Sequence, residues 1–306
     1  MWKNNLSQSQ LTAWLVGALV PTVIQLAAGA SWLSVLLTAS VCLILAAMCW
    51  QWGEAPKGKF LCLVQWGLLV SVLATVGQQI PQAWPKGGHK AVSLILLALA
   101  LWAARKGTGA CACVGCVLFW FTVPLYLLLM GTGVPRIKPQ WLRPGGETVS
   151  ALGAVLLLTP AAASIHLYNR KRPQPRLLLI PVLCTLAASV VSGVLSPAAA
   201  AVEAAPFYEM IRSLSSANRF EAVLSAAVTV GWFSFLVLGL SLCGQWAEHF
   251  RPGWGKRGMT AAAFLAALGV VLSWSVPGPA LLLPAAILWV FVPLVTPVFS
   301  KIKKSK

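Results

Sequence analysis

The sequence predicts an all-α integral membrane protein of about ten transmembrane helices. Three observations carry that reading: long apolar runs, very little charge within them, and basic residues sorted into alternate loops. Hydrophobic residues fill 58% of 306 positions and charged residues only 9%, against roughly 45–50% and 25% in soluble domains. A soluble fold of this length would have too little polar surface to face water. A bilayer core ~30 Å thick instead asks for runs of about 20 apolar residues. These runs lack the ~10-residue alternation of a barrel, so helices are the remaining way to satisfy the backbone in lipid.

Ten spans can be read in order: 9–29, 32–50, 60–80, 91–104, 110–131, 147–167, 177–198, 222–243, 260–276 and 279–298. The first could also be a signal peptide, with Lys3 ahead of an apolar stretch and Ala27-Ala28-Gly29-Ala30 as the cleavage site. The second apolar run begins at once from Trp32, which fits a helical hairpin better. Trp50, Trp52, Trp84, Trp141 and Trp254 fall near span ends, where interfacial anchors belong.

The net charge of +17 comes from 23 Lys and Arg against six Glu, with no Asp. Such a balance can mark a nucleic-acid binder, but here the cations sit in short loops, which argues against nucleic acid as a partner. Counted from a cytoplasmic N-terminus, sixteen cations fall on the inner side: Lys3, two between spans 2 and 3, two between 4 and 5, four between 6 and 7, three between 8 and 9, and four after span 10. The remaining seven are Lys86, Lys90, Arg136, Lys138, Arg143, Arg212 and Arg219. This bias places both termini in the cytoplasm. None of the six Glu falls mid-span, so a proton cycle run by a buried carboxylate is not expected.

Between spans 7 and 8, Phe207, Met210, Ile211 and Leu214 recur at helical spacing, with Glu209, Arg212, Ser213 and Ser216 elsewhere. This predicts a short amphipathic helix within 203–217 on the outer side. It leads into Asn218-Arg219-Phe220-Glu221, a capping Asn followed three residues on by Glu, as at a helix start. Eight cysteines lie inside or beside apolar runs without a disulfide framework. Cys111, Cys113 and Cys116 have a metal-like spacing, but no His or further Cys is near, so they read as small packing residues. No Ser/His/acid, two-carboxylate, HExxH or phosphate-loop pattern occurs. No enzyme activity, cofactor or metal is expected.

Four stretches suggest a family. Leu6-Ser7-Gln8-Ser9-Gln10-Leu11 with the following helix and Trp32-Leu33, residues 94–107 ending Ala103-Ala104-Arg105-Lys106-Gly107, residues 142–172, and Pro206-Phe207-Tyr208-Glu209 through Arg219-Phe220-Glu221-Ala222 resemble, in order and spacing, the spore-germination permeases. These are the B-type subunits of germinant receptors, within the amino acid–polyamine–organocation superfamily. The chain departs from the family in its shorter loops and in Leu156-Leu157-Leu158-Thr159-Pro160-Ala161, where members often carry a carboxylate.

The resemblance implies a LeuT-like transporter fold of two inverted five-helix repeats, 1–131 and 147–298, whose first helices break near mid-membrane and hold the ligand. The breaks would fall at Gly17, Pro21 and Thr22 and at Gly153, Thr159 and Pro160, the kind of matched Gly/Pro interruption that marks transporter sites. Pro206, Asn218, Arg219 and Glu221 would form a structural junction. It further implies a small amino acid-like ligand that is sensed, with transport across the spore inner membrane left open, and other germinant-receptor subunits as partners. The alternatives are an independent amino-acid transporter and a structural scaffold whose ligand site has decayed.

Overall fold

A computed structural model describes residues 7–27, 29–54, 58–82, 90–142, 148–167, 175–196, 200, 206–213, 221–274 and 276–297. Among these, all regular structure is helical. The helices are α1 (Gln8–Ala27), α2 (Trp32–Trp52), α3 (Lys59–Gln82), α4 (Lys90–Ala104), α5 (Thr108–Gly133), α6 (Ala151–His166), α7 (Leu179–Leu195), α8 (Pro206–Ser213), α9 (Glu221–Phe250), α10 (Gly255–Val271) and α11 (Gly278–Ala286). The last continues through a π-helical segment, Ile287–Phe291. Seven of them are long and apolar enough to cross a membrane, and the arrangement is that of a multi-pass membrane protein. α4, α6 and α10 are shorter, at 15, 16 and 17 residues, or about 22–26 Å at 1.5 Å per residue.

Local chemistry fixes the helix ends. Ser7 Oγ accepts from the Gln10 N–H at 3.2 Å and Gln10 Oε1 accepts from the Ser7 N–H at 3.1 Å, a reciprocal capping box that opens α1. Ser31 and Ser150 cap α2 and α6 through their hydroxyl oxygens. Gly107, at φ +109°, makes the tight turn from α4 to α5.

Two predicted boundaries are corrected. α9 runs to Phe250 rather than 243, and α10 starts at Gly255 rather than 260. Glu248, predicted to lie in a loop, sits in the last turn of α9. Its carboxylate accepts the N–H groups of Gly253 and Gly255 at 2.9 Å each, so an anion meets the start of α10. Gly253 turns the chain at φ +84°. Hydropathy places the boundary after Lys256 and Arg257, whereas this cap draws both cations into the first turn.

The loops predicted to share a side do gather at one end of the bundle. Arg176 reaches Ser9 Oγ, Arg105 donates to Thr260 Oγ1 at 3.0 Å, and the Glu54 N–H donates to Pro293 O at 3.1 Å. At the opposite end Trp32 Nε1 donates to Leu142 O, Lys90 Nζ to Val271 O, and the Lys138 N–H to Gly193 O. The first of these is called the basic end below.

α1 and α9 are the most enclosed of the long helices, while α2, α5 and α11 expose apolar faces. The remaining packing has a pattern. α1 packs on α5 and α6 on α11; α2 on α6 and α7 on α1; α3 on α4 and α9 on α10; α3 on α10 and α9 on α4. α2–α7, α3–α9, α4–α10 and α1–α6 complete it. Matching α1–α5 to α6, α7, α9, α10 and α11 exchanges or preserves every one of these pairs. The contact of α1 with α9 is the main exception, having no counterpart of like extent between α3 and α6.

Cross-bundle bonds hold the π segment. In a π register the Leu288 carbonyl would need the N–H of residue 293, and that residue is a proline without one. Gln65 Nε2 of α3 donates to Leu288 O instead, at 2.7 Å. Gln65→Leu should therefore lower stability by about 1–2 kcal/mol, read as a lower melting temperature of the purified protein. An unchanged melting temperature would refute this account of the segment.

Candidate functional site

The expected helix breaks are absent as geometry: α1 is continuous through Pro21 and α6 through Pro160. Each proline lacks an N–H and so leaves a carbonyl four residues back, that of Gly17 and of Leu156, without its helical donor. At Pro21 a neighbouring helix packs closely. Gly231 of α9 takes the Pro21 ring, and a Cβ built on Gly231 would lie 2.3 Å from Pro21 Cβ.

The six predicted ligand-site residues are all buried. Gly17 faces α5, where a Cβ would meet Phe119 Cα at 3.4 Å. The Thr22 hydroxyl donates to Ala18 O at 2.7 Å within its own helix. The Gly153 N–H is held by the Ser150 cap at 3.1 Å, and Pro160 is buried within α6. Thr159 is fully buried, and its Oγ1 has no hydrogen-bond partner among the described residues. Pro206 begins α8 and is buried there, Glu221 begins α9, and Asn218 and Arg219 lie outside the described residues.

A different pair is brought together along the seam of α1 and α5. The two helices run parallel. Gln10 Nε2 lies 3.4 Å from Cys113 Sγ, Trp14 packs into the space a Cβ on Gly115 would fill, and Gly17 meets Phe119. Cys111, Cys113 and Cys116 therefore sit in or beside a packing seam, and all three are free thiols.

Further along the seam, away from the basic end, the interior turns polar. The Gln25 amide of α1 lies beside the Tyr126 hydroxyl of α5. Both Gln25 amide atoms and the Tyr126 Oη are enclosed, and beyond their contact with each other they have no hydrogen-bond partner among the described residues. Thr122, one turn before Tyr126 on the same face of α5, has an enclosed, unpartnered hydroxyl as well. Gln25 is 3% exposed and Tyr126 0%. Each unmade bond in such a place costs about 1–3 kcal/mol, and native exceptions of this kind ask for an explanation in bound water, ion or ligand.

The short helix α8 closes the site. Phe207 stacks on Tyr126 with ring centroids 5.3 Å apart and planes 18° apart, and Met210 packs near Gly133. As predicted, Phe207, Met210 and Ile211 form the buried face, while Arg212 and Ser213 are exposed; Leu214 and Ser216 lie outside the described residues. Arg212 pairs with Glu209 at 3.6 Å, and Tyr208 is buried too.

Gln25 and Tyr126 escaped the sequence reading although a signal existed: both are polar groups within apolar runs, which are costly there and often functional. No charged side chain is buried among the described residues. The pair supplies amide and phenol donors and acceptors, with no fixed charge to balance an ion. Compared with protein-family models and with curated proteins, the chain matches none.

Proposed function

We propose that this chain is a permease-fold membrane protein that binds a small zwitterionic, amino acid-like solute between α1 and α5, beneath α8. The observation that carries the reading is the enclosed Gln25–Tyr126 pair, whose amide and phenol find no partner beyond each other among the described residues. A zwitterion suits it because the solute's own charges offset each other where the protein offers none. The Gln25 N–H and Tyr126 O–H can donate to a carboxylate, and Gln25 Oε1 can accept from an ammonium. Entry requires Phe207 to leave Tyr126, which makes α8 the gate.

The exchange of packing pairs under a shift of five spans supports two five-helix repeats. In a chain that reverses direction at each of ten spans, such a shift makes the repeats inverted. Sites of inverted-repeat transporters lie near mid-membrane. The resemblance of the Pro206–Glu221 junction to germination permeases favours a sensing subunit that works with other receptor subunits at the spore inner membrane. Binding then shifts a conformational equilibrium, which needs unequal affinity for two states and no coupled ion. Both termini lie in the cytoplasm in this reading.

The test is equilibrium binding of a panel of amino acids to the purified full chain. One or more with an uncharged side chain should bind and raise its melting temperature. No binding by any zwitterion would overturn the proposal. Concentrative uptake into liposomes under an inward proton gradient, with matching internal acidification, would replace the sensor by a transporter.

Sidedness has its own test. With single cysteines placed at 106 and 138 in a cysteine-free variant, an impermeant maleimide should label 138 from outside and 106 only after permeabilisation. The reverse pattern would invert the topology.

A further inference from the structure

The geometry points to a binding site for one anionic phospholipid on the flank of the bundle at its basic end. A cleft of about 210 Å³ opens there between the start of α3, the end of α9 and the start of α10. Its walls include Trp66, Trp246, Phe250 and Trp254, and its floor is closed by Gly258. A Cβ on Gly258 would lie 2.1 Å from Ala247 Cβ, so α9 and α10 touch there, and Phe250 and Trp254 pair at 6.5 Å along the wall. The cleft is apolar apart from one cation, Arg257.

Arg257 decides what fits. It is exposed and has no hydrogen-bond or ion-pair partner among the described residues. Its neighbour Arg251 is committed to the Trp254 ring at 4.8 Å. The nearby acid, Glu248, is occupied by the N–H groups of Gly253 and Gly255. Around the basic end the described cations are Lys59, Arg105, Lys106, Arg176, Arg251, Lys256 and Arg257, against Glu54 and Glu248. The local field therefore favours an anion. The enclosed indole N–H of Trp66 also lacks an acceptor among the described residues.

An acyl chain in the cleft with its phosphate on Arg257 meets all of these features. A zwitterionic lipid would bring an ammonium group into the same positive field. A second apolar cleft, of about 250 Å³ beside Trp14 and Trp102, has Lys106 at its edge. That ammonium already lies over the Trp102 ring at 5.0 Å, so the free guanidinium marks the first cleft as the specific one.

The experiment uses the full chain in phosphatidylcholine nanodiscs doped with a phosphatidylglycerol that carries a photoreactive group in its acyl chain. Labelled peptides are mapped by mass spectrometry. Labelling should concentrate on 60–66 and 246–258. Unlabelled phosphatidylglycerol should compete, while added phosphatidylcholine or inorganic phosphate should not. Arg257→Gln should reduce labelling there by about fivefold, the weight of one cation near an anionic headgroup, and leave the Trp102 cleft unchanged. Equal competition by phosphatidylcholine, labelling spread evenly around the bundle, or an Arg257→Gln variant labelled like the wild type would each overturn the site.

Discussion

Gln25→Leu and Tyr126→Phe should each weaken amino-acid binding by about 10- to 100-fold while leaving the ligand-free protein as stable as before, or more so. The affinity loss corresponds to one hydrogen bond to a charged group, about 1.5–3 kcal/mol. The stability forecast has the opposite sign for a definite reason. Both side chains bury polar atoms that have no hydrogen-bond partner among the described residues beyond each other, so an apolar replacement of similar shape removes a desolvation penalty and loses at most that one contact. A purely structural pair would behave the other way, with stability falling and affinity unchanged. Because the two groups are adjacent and would hold one solute, the double variant should fall short of the sum of the singles. Isothermal titration with the best-bound amino acid, alongside thermal unfolding without it, separates the outcomes. Wild-type affinity in both variants would remove this pair from the function.

Gly231→Ala should destabilise the protein by about 3 kcal/mol, the upper end for one methyl group added to a packed core. The new Cβ would lie 2.3 Å from Pro21 Cβ and 3.0 Å from its Cγ. Pro21 cannot turn aside, since its ring is closed onto the backbone, and both helices belong to the enclosed centre of the bundle. Strain of this origin makes a specific forecast. Pro21→Gly, which removes the opposing atoms, should make the second change much less harmful, so that Gly231→Ala costs little in that background. Thermal unfolding of the four proteins in the cycle measures the coupling. A Gly231→Ala protein that melts like the wild type would show that α1 and α9 can separate without cost.

Several features were legible in the sequence because they are decided one segment at a time. Whether a stretch such as 32–50 prefers lipid depends on its own side chains. The sorting of Arg105 and Arg176 to one end and Lys138 to the other follows from counting spans between them. The α8 face was readable from the spacing of Phe207, Met210 and Ile211 alone. The Ser7–Gln10 capping box was also local, and it was visible in the residues although hydropathy passes over it. Local rules misled at α10, where a carboxylate from the preceding helix draws Lys256 and Arg257 into the first turn.

The sequence by itself determined the class of molecule, the apolar helices and the end at which the described basic residues gather, since each of these reflects the exchange of a short segment between water and lipid. Only the tertiary structure decided what the interior polar groups do. Pro21 and Pro160 suggested broken helices, yet both helices stay continuous, and at Pro21 a glycine 210 positions away accepts the ring. Gln25 and Tyr126 are 101 residues apart and became a pair because Gly115 admits Trp14 and sets how closely α1 and α5 approach and in what register. Contacts of this kind depend on which residues meet across space, and spacing along a single chain does not record that.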